Sequence, residues 1–339
     1  MSELAELWQR LDLPAGPGDD RSPLRFETTT VPGFPGYRLG KSSLGTAALL
    51  VEAAPEHGSP PPPIRLQALN VIHGAACLVS IGGRAEQRTF SVAVLSPEAR
   101  TLQEYFLDLV PLVAQSLGQN PTASAVADAF RSLVALFRAA GRPLRSTVQG
   151  LWSELFVLAQ ASDPAVLVDS WHVDANDRYD FHSGAQRIEI KSAAGMRKHR
   201  FSLEQVSPPP DADVIVVSVL TAPVATGLTI KSMLETLVTR LVGYPSLQMK
   251  AHEAVASTLG DSLHHALNES FDVELARATL RYYDVRDLPK LPGPIPPEIG
   301  QIRFAMDLSA CAPKTDVDVR ARGGLFAAVV SGAIAQSRR

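Results

Sequence analysis

Apolar residues form short runs in the first part of the chain and longer helical stripes after it. Runs such as 46–51 and 76–81 are separated by segments rich in Gly, Pro and Thr, which predicts strands of a mostly antiparallel sheet. Over 97–119 and 121–140 the apolar positions recur at the spacing of amphipathic helices. We therefore expect a β-rich segment followed by two helices.

Gly141-Arg142-Pro143 ends the second helical stripe, and a domain boundary is expected there. We predict an amino-terminal β-rich domain over residues 1–142, including the two helices, and a second domain over 143–339. The first domain shows no pattern that indicates chemistry. By elimination, we assign it a recognition or assembly role.

The second domain mixes helical and strand-like patterns. Its continuous apolar run from Asp213 to Leu220 predicts a central strand that is covered on both faces. The other patterned segments are helices over 151–159, 230–242 and 246–268, strands over 187–191, 280–285 and 302–308, and a final helix after Leu325. This order predicts an α/β (α+β) fold with a mixed sheet flanked by helices.

One predicted strand carries a carboxylate beside an ammonium. Along 187–191 the side chains alternate, so Glu189 and Lys191 share one face while Ile188 and Ile190 point the other way, toward the core. Asp180 precedes this strand by an interval that allows a turn at 182–184, which would place Asp180 beside Glu189. Two carboxylates suit Mg²⁺, which prefers oxygen ligands. Taken alone, such a triplet is ordinarily a polar, solvent-facing strand surface.

Glu154 strengthens the case for a site. It is the acid of a helix that is apolar almost all round, and such a helix is normally buried. A buried acid needs a partner or a metal. The alternative is that Glu154 lies on a narrow exposed strip with Gly150 and Ser153.

The order of Glu154, Asp180 and Glu189-Ile190-Lys191 resembles the PD-(D/E)xK nuclease superfamily over residues 146–220. Within it, the chain looks like a bacterial subfamily known as "PD-(D/E)XK motif protein". The resemblance implies a restriction-endonuclease-like core and a metal-dependent DNA endonuclease with Asp180, Glu189, Lys191 and Glu154 as catalytic residues. It also implies Mg²⁺, replaceable by Mn²⁺, bound by Asp180, Glu189 and the Ile190 carbonyl, with Glu154 as a further candidate ligand.

The resemblance also concerns partners. It implies a restriction or anti-phage setting alongside methyltransferase or ATPase subunits, and a homodimer is expected where both DNA strands are cut. Tyr179 stands where the family motif has proline. Asp174 and Asp177 are alternative ligands, although Asn176-Asp177 is typical of a turn.

A basic cluster follows the Glu-x-Lys strand. Arg197, Lys198 and Arg200 are placed to bind backbone phosphates, and a solvated turn explains them equally well. Gln205 follows Ser202 at the interval of a capping box, so we expect a structural role for Gln205.

Composition limits the remaining functions. The formal net charge of −3 over 339 residues means that any nucleic-acid surface must be local. Cys77 and Cys311 are too few for a disulfide framework, which fits a reducing compartment. No secretory signal or membrane-spanning run is evident, so we expect a cytoplasmic protein without membrane partners.

Two other functions remain open from the sequence. One is a catalytically inactive nuclease fold that acts as a nucleic-acid-binding or partner-binding scaffold. The other is an enzyme of different chemistry on an α/β sheet, for which the sequence offers no set of nucleophile, base and oxyanion donors.

Overall fold

The computed structural model of the protein describes residues 3–14, 24–54, 60–81, 84–144, 147–172, 177–293, 296 and 298–332. The chain divides into two compact units, Met1–Arg142 and Pro143–Arg339, and each is described by itself. Among the described residues, no helix combines the length and hydrophobicity needed to cross a membrane.

The first unit is built on a sheet that closes on itself. Its strands are β1 (Leu24–Val31), β2 (Phe34–Ser42), β3 (Ala47–Val51), β4 (Ile64–Arg65), β5 (Leu69–Ile81) and β6 (Arg84–Leu95). They pair in the order β1-β2-β3-β6-β5-β4, and β1 also pairs with β5. That last pairing is parallel, whereas the other neighbours are antiparallel. The predicted, mostly antiparallel sheet is confirmed, and five of its strands form a ring.

Helices cover this ring. They are α1 (Glu3–Gln9), α2 (Gln103–Leu117) and α3 (Ala123–Ala140), with a 3₁₀ turn over Pro97–Leu102 before α2. The apolar stripe of α2 is buried, as the helical spacing predicted. The Thr122 hydroxyl caps α3 by accepting a hydrogen bond from the Ala125 amide.

The second unit contains the remaining elements. They are α4 (Val148–Gln160), α5 (Pro164–Asp169), β7 (Phe181–Ser183), β8 (Gln186–Ala193), β9 (Lys198–Ser202), α6 (Leu203–Val206), β10 (Asp213–Leu220), β11 (Pro223–Thr229), α7 (Ile230–Arg240), α8 (Pro245–Leu259), α9 (Leu263–Ala266), β12 (Ser270–Phe271), α10 (Val273–Thr279), β13 (Arg281–Asp284), β14 (Arg303–Asp307), α11 (Asp316–Ala321) and α12 (Gly324–Val329).

A mixed sheet lies at the centre of this unit, in the strand order β13-β10-β8-β7. Strands β8 and β10 are parallel, and both outer pairings are antiparallel. The interior residues of β10 are buried on both faces, which confirms the central strand predicted from its apolar run. Strands β9 and β14 form a separate antiparallel ribbon.

The carboxy-terminal segment packs against this sheet. The Gln186 side chain at the start of β8 donates to the carbonyls of Arg322 and Gly323 and accepts from the Leu325 amide. Arg322 also forms an ion pair with the buried carboxylate of Asp284 at 3.0 Å. The helix predicted after Leu325 is α12, which begins one residue earlier and ends at Val329; residues 333–339 lie outside the described range.

Two local predictions are corrected. The turn lies at Gly184-Ala185 and not at 182–184, because His182 and Ser183 still pair with β8. Gly184 has φ +55°, a left-handed conformation that glycine adopts without strain. The helix predicted over 246–268 is interrupted, because α8 ends at Leu259 and a 3₁₀ turn over Gly260–Ser262 separates it from α9. Asp180 lies in a bend immediately before β7.

Candidate active site

The β7–β8 hairpin brings Asp180 and Glu189 together. Phe181 pairs with Ile188, so Asp180 lies opposite Glu189 at the open end of the hairpin. Asp180 Oδ2 accepts a 2.6 Å hydrogen bond from the backbone amide of Ile190. The main chain of β8 therefore fixes the first carboxylate beside the second.

Glu189 is buried, in contrast to the solvent-facing surface that is ordinary for such a triplet. It lies level with Val216 of β10 on a face that an apolar cluster covers, and it is only 4% exposed. Its Oε1 atom lies 2.5 Å from the Lys191 ammonium and accepts a 2.6 Å hydrogen bond from Gln205 Nε2. Its Oε2 atom is buried and has no hydrogen-bond partner within the described residues.

Gln205 connects the helix α6 to the site. Its Oε1 atom accepts a hydrogen bond from the Ser202 amide, which confirms the predicted capping role. Its Nε2 atom donates to Glu189 and to the Arg178 carbonyl. The structural role expected from the sequence is thus incomplete, because capping uses the amide oxygen and leaves the amide hydrogens for Glu189.

Glu154 reaches the same site from α4. Its Oε2 atom accepts a 2.8 Å hydrogen bond from the indole of Trp171, which is buried and stacks on Phe181 of β7. The exposed strip offered as the alternative does not form, since Ser153 is fully buried. Sequence analysis missed Trp171, because nothing in its local pattern shows that its indole faces α4.

The three carboxyl groups influence one another. Burial and the neighbouring Asp180 raise the pKa of Glu189 to about 8, although Lys191 and Gln205 partly offset this. Burial raises the pKa of Asp180 to about 6, although the hydrogen bond from the Ile190 amide, which favours the charged form, partly offsets this. The pKa of Glu154 is raised by burial and then by Asp180. Without added positive charge, the site retains protons that ordinary carboxyl groups would lose.

A divalent cation is suited to this arrangement. The unpartnered Glu189 Oε2 offers a buried lone pair without a donor, and the carboxyl groups beside it would release their retained protons to a cation. Among the described residues, no three His, Cys, Asp or Glu side chains form a ready-made metal cluster. A cation here would complete its coordination with backbone, water or substrate oxygens. Binding of metal by Asp180, Glu189, the Ile190 carbonyl and Glu154 stays a prediction.

Of the two alternative ligands, Asp177 is the one that the structure describes. Asp177 is exposed, and its Oδ2 atom lies 3.6 Å from His172 Nδ1. Asp174 lies outside the described residues.

The basic cluster separates into two kinds of residue. Arg197 donates to the Ser218 hydroxyl and carbonyl and to the Thr279 carbonyl, so its guanidinium holds the fold together. Lys198 and Arg200 are exposed on β9. Phosphate binding therefore remains a prediction for Lys198 and Arg200, whereas the hydrogen bonds of Arg197 give it a structural role.

A cleft of about 710 Å³ opens beside Lys191. Sequence analysis had included Arg200 and Lys191 from its lining but missed Arg178 and Arg303. Arg178 lies just before the Tyr179-Asp180 pair, and Arg303 begins a strand more than a hundred residues later. Only the pairing of β14 with β9 brings Arg303 to this cleft.

Comparison with known protein families gives one match. A family model with the description "Putative PD-(D/E)XK family member, (DUF4420)" matches residues 5–309. Neither the curated proteins nor the solved structures gave a match to the chain. The mixed sheet and its flanking helices are observed, while the restriction-endonuclease-like assignment of this core stays a prediction.

Proposed function

Because the chain belongs to this PD-(D/E)XK family, we propose that it is a nuclease that hydrolyses phosphodiester bonds within DNA, with Mg²⁺ as its cofactor. Family membership supports nuclease chemistry in general. DNA as the substrate and Mg²⁺ as the metal are the finer parts of the proposal. Mn²⁺ is expected to replace Mg²⁺, because both accept oxygen ligands.

One observation carries the proposal. The buried Glu189 carboxylate, with Oε1 bonded to Lys191 and Gln205 and Oε2 without a partner, lies directly beside Asp180. A purely structural ion pair would satisfy both oxygens, because an unpaired buried acceptor is costly. An open carboxylate oxygen beside a second acid and an ammonium suits metal-assisted phosphoryl chemistry, because the acids can bind a cation and the ammonium can offset negative charge.

Each residue has a distinct role in the proposed reaction. Asp180 and Glu189 supply oxygen ligands, and Gln205 holds the Glu189 carboxylate in one orientation. Lys191 lies where its ammonium can orient a water and offset negative charge at the phosphate. Glu154, held by Trp171, adds a third acceptor. When bound, the cation would polarise the phosphoryl group and lower the pKa of a bound water.

The test is cleavage of supercoiled plasmid and of single-stranded DNA in Mg²⁺ or Mn²⁺. The variants are Asp180→Asn and Lys191→Ala. Lys314→Ala is the matched control, because its ammonium is exposed and paired with Asp287 at 2.8 Å. We expect at least a hundredfold loss of rate in the first two variants and an unchanged rate in the control.

The outcomes separate the possible functions. Nicking or linearisation of closed plasmid by the wild type establishes an endonuclease. Equal rates in wild type and Lys191→Ala would exclude the assigned role of the ammonium. Absence of cleavage in every metal and substrate would overturn the nuclease proposal.

A scaffold without turnover is the second candidate function. It is favoured by the Lys191–Glu189 ion pair, which occupies one carboxylate oxygen. Calorimetric titration with Mn²⁺ separates the two. A scaffold binds DNA or a partner protein without binding the metal, and Asp180→Asn leaves its affinity unchanged.

The biological setting is also part of the proposal. We place the protein in a bacterial restriction or anti-phage system, with an ATPase or methyltransferase as partner and a homodimer for double-strand cleavage. Co-purification of the intact chain from its native cells tests the partners. Light scattering with and without DNA tests the dimer.

A further inference from the structure

The β9–β14 ribbon presents an exposed face of mixed charge beside the acidic site. Along β9 the exposed residues alternate with buried ones, which places Lys198 and Arg200 on the outer face. Strand β14 pairs with β9 so that Arg303 lies opposite Ser202, on the same outer face. Arg200 and Arg303 are therefore diagonal neighbours on one face, with their Cα atoms about 7–8 Å apart.

A third arginine, Arg178, lines the same cleft. Arg178 precedes Tyr179, whose hydroxyl donates to the Glu204 carbonyl, so the bend that carries Arg178 is fixed to α6. Arg178, Arg200 and Arg303 all line the cleft, and Lys191 connects it to the buried carboxylates. The cleft thus leads from an arginine-rich rim to the ion pair of the site.

The charge of this cleft differs from that of the chain. Its lining carries four cationic side chains and two carboxylates, those of Asp177 and Glu204, whereas the whole chain has a formal net charge of −3. Within the described part of the chain, no hydrogen bond or close ion pair holds the guanidinium groups of Arg178, Arg200 and Arg303. Backbone hydrogen bonding and, to a smaller extent, Arg178 and Arg303 lower the pKa of Glu204 on the same lining. Arg197, by comparison, donates hydrogen bonds from both terminal nitrogens of its guanidinium.

A strained residue lies on the same lining. Gln301 has φ +55°, a left-handed conformation that non-glycine residues adopt at a cost, and it lies two residues before the first residue of the ribbon strand β14. Such strain is retained most often where a binding surface depends on it. The left-handed turn at Gln301 directs the chain into β14 and so helps to place Arg303 on the cleft.

We infer that Arg178, Arg200 and Arg303 bind successive phosphate groups of one nucleic-acid strand and guide that strand to Lys191 and the acidic residues. This inference rests on the proposed function, because it names the substrate surface of the same site. The recognition is electrostatic and independent of base sequence, since a guanidinium binds phosphate oxygens through paired hydrogen bonds.

The test measures binding without cleavage. Fluorescence anisotropy of a labelled oligonucleotide, single-stranded or duplex, is recorded in EDTA at a series of salt concentrations. The variants are Arg178→Gln, Arg200→Gln and Arg303→Gln. The matched control is Arg277→Gln, an exposed arginine on α10 that pairs with Glu274 and does not line this cleft.

Each glutamine variant is expected to weaken binding about five- to tenfold at moderate salt, to the same extent for unrelated sequences. The slope of log affinity against log salt should fall by about 0.7 to 0.9 for each arginine removed. Arg303→Lys should retain most of that slope, because the charge remains. Mononucleotide and inorganic pyrophosphate should compete only weakly, since each spans fewer phosphates than the rim.

The possible outcomes distinguish failure of the inference from failure of the proposed nuclease function. Slopes equal to wild type in all three glutamine variants, or no binding by wild type, would overturn the inference. Binding that depends on the three arginines in a protein that cuts no substrate would support the inference and reject the nuclease. Cleavage at the wild-type rate in all three arginine variants would support the nuclease and reject the inference.

Discussion

Substitution of Glu189 by glutamine should stabilise the metal-free protein at alkaline pH. The glutamine keeps the shape of the side chain and can still accept the hydrogen bond from Gln205, but it has no charge to bury. In the wild type, the pKa of Glu189 is raised from 4.5 to about 8 in the folded state. The folded protein therefore binds this proton more tightly than the unfolded chain does.

The magnitude follows from proton linkage. Below the unfolded pKa of 4.5 the carboxyl is protonated in both states, and between 4.5 and about 8 only the folded state holds the proton. Stability of the wild type then falls by about 1.4 kcal/mol for each pH unit, relative to the variant. From pH 5 to pH 8 this difference in unfolding free energy amounts to roughly 4 kcal/mol. Because Asp180 and Glu154 share protons with Glu189, the observed difference will be smaller, and we expect it to be no less than about 2 kcal/mol.

The assay is urea unfolding in EDTA at several pH values, followed by tryptophan fluorescence. Of the three tryptophans, Trp152 and Trp171 lie in the second unit, so its transition dominates the signal. The free energy of unfolding of Glu189→Gln should exceed that of wild type by a margin that grows from pH 5 to pH 8.

Glu204→Gln is the control. Backbone hydrogen bonding lowers the pKa of Glu204, so removal of this carboxylate should change the free energy of unfolding by the same amount at every pH from 5 to 8. Mg²⁺ should stabilise the wild type and not Glu189→Gln. A margin that stays constant with pH would refute the buried-charge interpretation of Glu189.

Three further changes test other contacts. Trp171→Phe keeps the aromatic packing but removes the donor to Glu154; we expect about 1–3 kcal/mol lower stability and a Mn²⁺ affinity several times weaker, measured by urea unfolding and calorimetry. Asp284→Asn removes the ion pairs of the carboxylate with Arg286 and Arg322; because Arg322 keeps its ion pair with Asp213, we expect a loss of about 1–3 kcal/mol in urea unfolding. Gly227→Ala directs a methyl group into a backbone carbonyl of the facing strand β12; its melting temperature should fall by several degrees, with a loss of about 2 kcal/mol.

Much of the second unit could be predicted from local pattern. The apolar run of β10 and the alternation of β8 follow from side-chain direction alone, and both strands form where they were predicted. The hairpin that places Asp180 beside Glu189 follows from the interval between them, with an error of about one residue in its turn. Helix bounds were less accurate, because the apolar pattern over 246–268 continues past Gly260, where a left-handed φ of +53° ends α8 before α9 begins.

The contacts that shape the site could not be predicted in this way. Burial of Glu189 depends on β9 and α6 folding over its face of the sheet, which alternation within β8 does not reveal. The link from Trp171 to Glu154 depends on where two separate elements pack. Arg303 reaches the cleft only through pairing of β14 with β9, a long-range choice that no local window contains.

The bracing of β8 by the carboxy-terminal segment affects how the protein can be shortened. The family model ends at residue 309, yet the groups that hold Gln186 at the start of β8 come from Arg322, Gly323 and Leu325. A protein trimmed to the matched range would keep every candidate active-site residue and lose the support of the strand that carries two of them. For this chain, the limits of family similarity and the limits of the folding unit are therefore different.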